Sequence, residues 1–193
     1  KIKDDKIQFR VRGTAGGNLL SVPYNVSART ADLDVVKLLI HSVISSDKQW
    51  MTIDIKDYYL GTPLPASRYE YIRIPLRMVP SAVLDRYNLH PYITHGHVYF
   101  EIRKCMYGLP QAGKLSQLRL IDHLSQHGFT QCPNTPCLFR HSTRDITFCL
   151  VVDDFGVRYG SKDDADFLID VLQLKGYDLT LKWDGNTYLG MSV

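Results

Sequence analysis

The segment Ile146-Thr-Phe-Cys-Leu-Val-Val-Asp-Asp-Phe-Gly-Val-Arg-Tyr159 restricts the possible folds more than any other part of the chain. A mostly apolar, β-branched run ends in two adjacent aspartates, and a second strand-like run begins at Phe155. This pattern predicts a β-hairpin with its tip at or beside Asp153-Asp154. Two neighbouring carboxylates between apolar strands repel each other, and desolvation adds to the cost of keeping both ionised. A divalent cation that takes oxygen ligands, such as magnesium, would remove that cost. The competing reading is ordinary solvated turn chemistry, and this stretch alone leaves both open.

The 193 residues suffice for one sizeable core, or for one domain with a small lobe. With 45% hydrophobic and 22% charged residues, the composition is that of a soluble globular protein. No apolar run approaches the length of a membrane span. The charged start, Lys1-Ile-Lys-Asp-Asp-Lys6, lacks the apolar segment of a secretion signal. An intracellular, cytoplasmic protein with no membrane partner is expected. A net charge of +3 and a pI near 8.6 permit a polyanionic partner without requiring one. Cys105 and Cys149 read as small core residues, and Cys132 and Cys137 lack the second pair that would complete a zinc set.

Along the chain, Ile7 to Gly13 alternates as a strand with Arg10 and Arg12 on one face, and Thr14-Ala-Gly-Gly17 breaks it. The two arginines suit either a phosphate or the wet face of an edge strand. A helix is expected over 31–46, capped by Thr30, with Leu33, Val36, Leu39, Ile40 and Val43 as its apolar stripe. Trp50 to Lys56 reads as a strand with Met51, Ile53 and Ile55 facing inward and Asp54 outward. Short strands are expected over 69–74 and 98–103, with a short helix over 81–87 between them. A helix follows Lys104 to Lys114 and runs to about Gln126, lined by Leu115, Leu118, Ile121, His123 and Leu124, with Gly128 ending it. After the hairpin, Ser161 caps a helix whose first turn holds Asp163-Asp164, so that pair needs no metal. A strand over 177–183 and a last strand from Thr187 to Val193 close the chain. The expected fold class is α+β, a ferredoxin-like split βαβ arrangement that can bring Asp54 beside Asp153-Asp154.

Taken together, these stretches resemble the fingers and palm of a reverse transcriptase, most closely the copia type of LTR retrotransposon, from about Phe9 to the end. Thr52-Ile-Asp54-Ile-Lys-Asp-Tyr-Tyr59 resembles the first catalytic motif, and Val151-Val-Asp153-Asp154 the Asp-Asp hairpin. Tyr107-Gly-Leu-Pro-Gln111-Ala resembles the segment under the nucleotide and template, and Tyr188-Leu189-Gly190-Met191 the primer grip. The resemblance implies Asp54, Asp153 and Asp154 as metal-binding catalytic acids, Asp153 ahead of Asp154. It implies Tyr59 as the gate against ribonucleotides and Gln111 as a nucleotide contact, with Arg12, Arg10 and Lys114 on the triphosphate. The chain departs from the family pattern at Val151, Ala112 and Tyr58.

The activity so implied is RNA-directed DNA polymerisation with two magnesium or manganese ions, acting on dNTPs and an RNA or DNA template-primer. Ribonuclease H and integrase regions of one polyprotein, assembled in a virus-like particle, would be its partners. The implied division is a fingers part over 1–49 and a palm over 50–193. A fingers insertion lies at about 64–108, and the thumb and ribonuclease H domain lie outside the chain. Two other readings stand beside it: an inactive or domesticated copy serving as an RNA-binding assembly module, and another two-metal palm enzyme such as a nucleotide cyclase.

Overall fold

Alternation along Gln49–Ile55 builds the central strand. In this computed structural model, residues 13–193 are described except Tyr24 and Arg68, together with the backbone of β1 (Ile2–Lys3) and β2 (Lys6–Ile7). Gln8 to Arg12, which hold both arginines of the expected first strand, lie outside the described residues. The remaining elements are α1 (Leu33–Ser45), β3 (Gln49–Ile55), β4 (Glu70–Pro75), α2 (Ser81–Arg86), β5 (Ile93–Thr94), β6 (His97–Ile102) and α3 (Ala112–Gln126). They are followed by β7 (Phe129–Gln131), β8 (Leu138–His141), β9 (Ile146–Val151), β10 (Asp154–Tyr159), α4 (Lys162–Leu174), β11 (Leu179–Lys182), β12 (Thr187–Tyr188) and β13 (Met191–Ser192).

The protein is α+β with antiparallel sheets. Its main sheet has six strands in the order β11-β3-β10-β9-β8-β7. Met51, Ile53 and Ile55 are at most 1% exposed. They join Phe155 and Val157 of β10, Val36 and Leu39 of α1, Leu120 and Leu124 of α3, and Leu168 and Leu172 of α4 in one core cluster. At about 25 cal/mol per Å² of apolar surface removed from water, such a core is the main source of stability. The second sheet, β4-β6-β5, packs Ile72 and Ile102 against a smaller cluster around Leu64, Cys105 and Leu109.

Several caps follow the sequence. Ser161 Oγ accepts from the Asp164 amide at 3.2 Å, so the Asp163-Asp164 pair belongs to a helix start. Gly128 and Gly176 adopt the left-handed conformation that ends α3 and α4. Elsewhere the sequence misleads. The α1 cap is Asp32 rather than Thr30, and Leu33 is half exposed. In α3, Leu118 of the expected stripe is exposed, while Ser116 and Gln117, outside that stripe, are buried; His123 is buried as expected. Two of these groups have partners far away in sequence: His123 Nε2 donates to the Val171 carbonyl at 2.7 Å, and Gln117 accepts from the Arg29 amide at 3.2 Å. Residues 129–141 supply two strands that the pattern does not announce. The expected last strand over 187–193 is instead a tight hairpin, because Leu189 and Gly190 both have positive φ and reverse the chain between β12 and β13.

That hairpin is seated on the main sheet through Gly156. A Cβ there would lie 2.5 Å from Trp50 Cη2 and 2.9 Å from Tyr188 Cε1, so only glycine lets the two rings meet the strand. They cross edge to face with centroids 5.7 Å apart. We predict that Gly156→Ala costs about 1–3 kcal/mol, as overpacked cores do. Urea unfolding followed by tryptophan fluorescence should show a lower midpoint with an unchanged slope.

Candidate active site

β10 lies against β3 with Asp154 directly opposite Asp54. Cross-strand partners have Cα atoms about 4.5–5.5 Å apart and send their side chains to the same face. Two carboxylates separated by a hundred sequence positions therefore stand side by side. Asp153 occupies the adjoining two-residue turn with Val152, between Val151 and Asp154, which pair with each other. The Asp153 carbonyl accepts from the Ile55 amide at 3.0 Å, which extends the β3–β10 ladder past Asp154. Val152 has φ of 62°, a left-handed conformation that a β-branched residue adopts only when its surroundings force it. The turn is fixed from both sides, so the acids are held in place at the cost of local strain.

Electrostatics records the crowding. Burial raises the Asp154 carboxyl above the ordinary range, the charges of Asp153 and Asp54 raise it further, and Lys182 partly opposes them. A cleft of about 310 Å³ opens on this face, lined by Thr52, Asp54, Asp154, Lys182, Tyr188 and Leu189 among others. The β12–β13 hairpin forms its far wall. Tyr188 donates a hydrogen bond from its hydroxyl to the Asp154 carbonyl at 3.2 Å, tying that wall to the acid-bearing strand. Leu189 and Gly190, at the hairpin tip, border the cleft, and Met191 packs against the main core.

The second group of expected residues gathers around the start of α3. Tyr59 lies in a 3-10 turn, Tyr58–Gly61, directly after β3. Its ring meets Tyr107 edge to face at 4.9 Å, and its hydroxyl lies 3.9 Å from where a Cβ of Gly113 would stand. The Tyr59 hydroxyl has a raised pKa, first through burial and then through the charge of Asp153. Tyr58 is 2% exposed and packs on both Tyr59 and Tyr177. Of the two neighbouring tyrosines, only Tyr59 reaches the surface. Arg119 of α3 donates to the Gly61 carbonyl and fixes the turn. Lys114 is half-buried in the first turn of α3, a position where the helix dipole favours anions.

Gln111 is the N-cap residue of α3 and is 1% exposed. Its Nε2 donates to Glu70 at 3.1 Å, while its Oε1 is buried with no partner among the described residues. Ahead of it, Tyr107-Gly108 is clasped by the loop at Thr14–Gly17. The Ala15 amide donates to the Tyr107 carbonyl at 2.8 Å, and a Cβ on Gly17 would fall 1.8 Å from the Gly108 carbonyl oxygen. A Cβ on Gly108 would stand 2.1 Å from the Ala15 oxygen. Backbone against backbone at this distance requires glycine on both sides. The sequence showed Thr14–Gly17 only as a turn; its docking on the Tyr-Gly-Leu-Pro-Gln segment became visible only in three dimensions.

Asp54 and Asp154 offer the oxygen donors that magnesium or manganese takes, and neutralising them would relieve the crowding on Asp154. Among the described residues no group of three or more His, Cys, Asp or Glu is arranged to hold a metal ion. A magnesium site needs fewer, since one or two carboxylates suffice when substrate phosphates and water complete the shell. The residues present fit such an ion. No protein-family model matches the sequence, and neither does any curated protein. Among the described residues no helix is long and apolar enough to cross a membrane.

The raised Asp154 pKa has a consequence for stability. The folded protein holds this proton above the pH at which the unfolded chain, with the carboxyl at 3.8, releases it. Stability therefore falls as pH rises from the unfolded value through the folded one, and the penalty is complete above the folded pKa. We predict that Asp154→Asn melts a few degrees above the wild type at pH 7. The difference should vanish as pH falls toward the unfolded value, which thermal melts across the acid range would measure.

Proposed function

We propose that the chain is the fingers-and-palm part of an RNA-directed DNA polymerase of the copia-type retrotransposon class its motifs resemble. The observation that carries this reading is the pairing of Asp154 with Asp54, with Asp153 in the turn beside them. The strand order supports it. With α3 between β3 and β9 and α4 between β10 and β11, the order β11-β3-β10-β9 is that of a ferredoxin-like split βαβ unit, the framework of a polymerase palm. The three-stranded sheet falls inside the 64–108 segment assigned to a fingers insertion.

Nucleotidyl transfer joins a primer 3′-hydroxyl to the α-phosphate of a dNTP and expels pyrophosphate. Two divalent ions, held by Asp54, Asp153 and Asp154, would lower the pKa of the attacking hydroxyl and stabilise the leaving oxygen. Lys114 and the amides at the start of α3 offset charge on the β- and γ-phosphates, together with Arg10 and Arg12. Tyr59 closes the space that a ribose 2′-hydroxyl would need. Gln111, anchored by Glu70, sets the floor beneath the incoming base. Leu189, Gly190 and Met191 hold the primer end across the cleft. Template-primer affinity comes mainly from phosphate contacts and falls with salt. Sequence is read by base pairing, which requires no base-reading helix. In this reading, ribonuclease H and integrase regions of the same polyprotein act on the product. An assembly module without catalysis would have no use for the clustered acids.

Primer extension on an RNA template, with dNTPs and magnesium and with the native downstream region restored, tests the proposal. Asp153→Asn and Asp154→Asn should each lower extension at least about a hundredfold, the scale on which losing one transition-state-stabilising group acts. Primer-template binding should change little. Tyr59→Val should admit ribonucleotides. Extension at the wild-type rate by both aspartate variants would overturn the assignment, and a template-independent cyclic product would favour a cyclase.

A further inference from the structure

The face of the three-stranded sheet turned away from the small core cluster carries exposed aromatic and charged side chains. In β4 and β6, Ile72 and Ile102 point into that cluster, so the alternate residues Tyr71, Arg73, Tyr99 and Glu101 share the opposite face. Arg73 stands directly across from Tyr99, and Tyr71 across from Glu101. Four large aromatic residues here lie open to solvent: Tyr71 is 63% exposed, Tyr87 62%, Tyr92 63% and Tyr99 47%. A pocket of about 440 Å³ runs between them, with β4 and β6 on one side and Val83, Tyr87, Leu89 and Tyr92 on the other. Residues 69–104 contain five of the chain's 12 tyrosines. Contiguous exposed aromatic surface of this kind marks an interaction site more often than an idle one.

Charge decides what it would bind. The same segment has five Lys and Arg against three acids. Each acid is engaged: Asp85 with His90 at 2.8 Å, Glu101 with Arg103 at 2.9 Å, and Glu70 with Gln111 beneath the sheet. Arg73, Arg77 and Arg86 are exposed. Arg86 lies over the Tyr87 ring at 5.6 Å, so guanidinium and aromatic face already alternate along the rim. Stacking rings interleaved with cations suit unpaired bases on a phosphate backbone. The exposed phenol hydroxyls add hydrogen-bonding partners for a 2′-hydroxyl, which distinguishes RNA from DNA.

We infer that this face is a second nucleic-acid site, a stacking surface for single-stranded RNA separate from the cleft at Asp54 and Asp154. It stands on the aromatic and basic side chains of this face and does not depend on the polymerase reading. Because the tyrosines are exposed, replacing them should leave the fold intact.

Fluorescence anisotropy with labelled rU12 and dU12, and cross-linking with a 5-iodouridine-substituted rU12, test it. The double variant Tyr71→Ala/Tyr99→Ala should bind rU12 tenfold or more weakly, with an unchanged thermal melt; stacking loss per base corresponds to about 5- to 150-fold. Arg73→Ala should reduce the slope of log affinity against log salt by about 0.7, the contribution of one single-strand phosphate. Cross-links should fall on Tyr71 or Tyr99, and rU12 should bind more tightly than dU12. Asp54→Asn should retain all of this, so a chain inactive in primer extension would still pass. Unchanged rU12 affinity in the double variant, cross-links confined to other segments, or tighter binding of dU12 would each overturn the inference.

Discussion

The antiparallel register of β3 against β10 fixes the core and the candidate site in one arrangement. Alternation along β3 sends Met51, Ile53 and Ile55 into the interior and Thr52 and Asp54 to the other face. The same ladder sets Asp154 across from Asp54, Phe155 across from Ile53 and Val157 across from Met51. β3 is also paired on its far side by β11, with Thr180 opposite Asp54. A strand held on both edges has little freedom to shift, so the carboxylates are positioned by the hydrophobic effect acting through neighbouring residues.

Around that centre, the structure repeatedly uses glycine and aromatic rings to bring separate pieces of chain close. Gly156 admits Trp50 and Tyr188, and through Tyr188 the β12–β13 hairpin reaches the Asp154 carbonyl. Gly17 and Gly108 let two loops touch backbone to backbone beside the start of α3. Tyr59 then packs on Tyr107 and reaches Gly113 at that start. One wall of the cleft thus comes from the end of the chain. The segments flanking Tyr59 come from its beginning and middle.

Much of this was legible in the sequence wherever a local period or a local hydrogen bond decides the outcome. The alternation of β3, the hairpin at the two aspartates, the Ser161 cap and the glycines ending α3 and α4 are of this kind. What was not legible depends on distant partners. The turn of the β9–β10 hairpin takes Val152-Asp153, with the β-branched Val152 in a left-handed conformation that propensity does not favour, and so it is Asp154 rather than Asp153 that faces Asp54. Leu189 is an unlikely turn former on propensity, yet it reverses the chain next to Tyr188, which is seated on Gly156. The buried face of α3 also holds Ser116 and Gln117, which look solvent-facing in the sequence; Gln117 pairs with the distant Arg29 backbone. Strands β7 and β8 are short, and the prolines and Cys132 and Cys137 between them obscure any period.

The two-sided clamping of β3 bears on how the chain can fail. Displacement of this strand by a single residue would exchange Asp54 for Ile53 or Ile55, putting an ionised oxygen into the hydrocarbon interior and an isoleucine into water. Such a misalignment is penalised twice over, at every inward position and again at the acid, and intermediate alignments do not exist because the period is two. Sequence drift in the interior is therefore tolerated only while this alignment survives. The carboxylate pair is then lost abruptly, together with the sheet, and does not degrade by degrees.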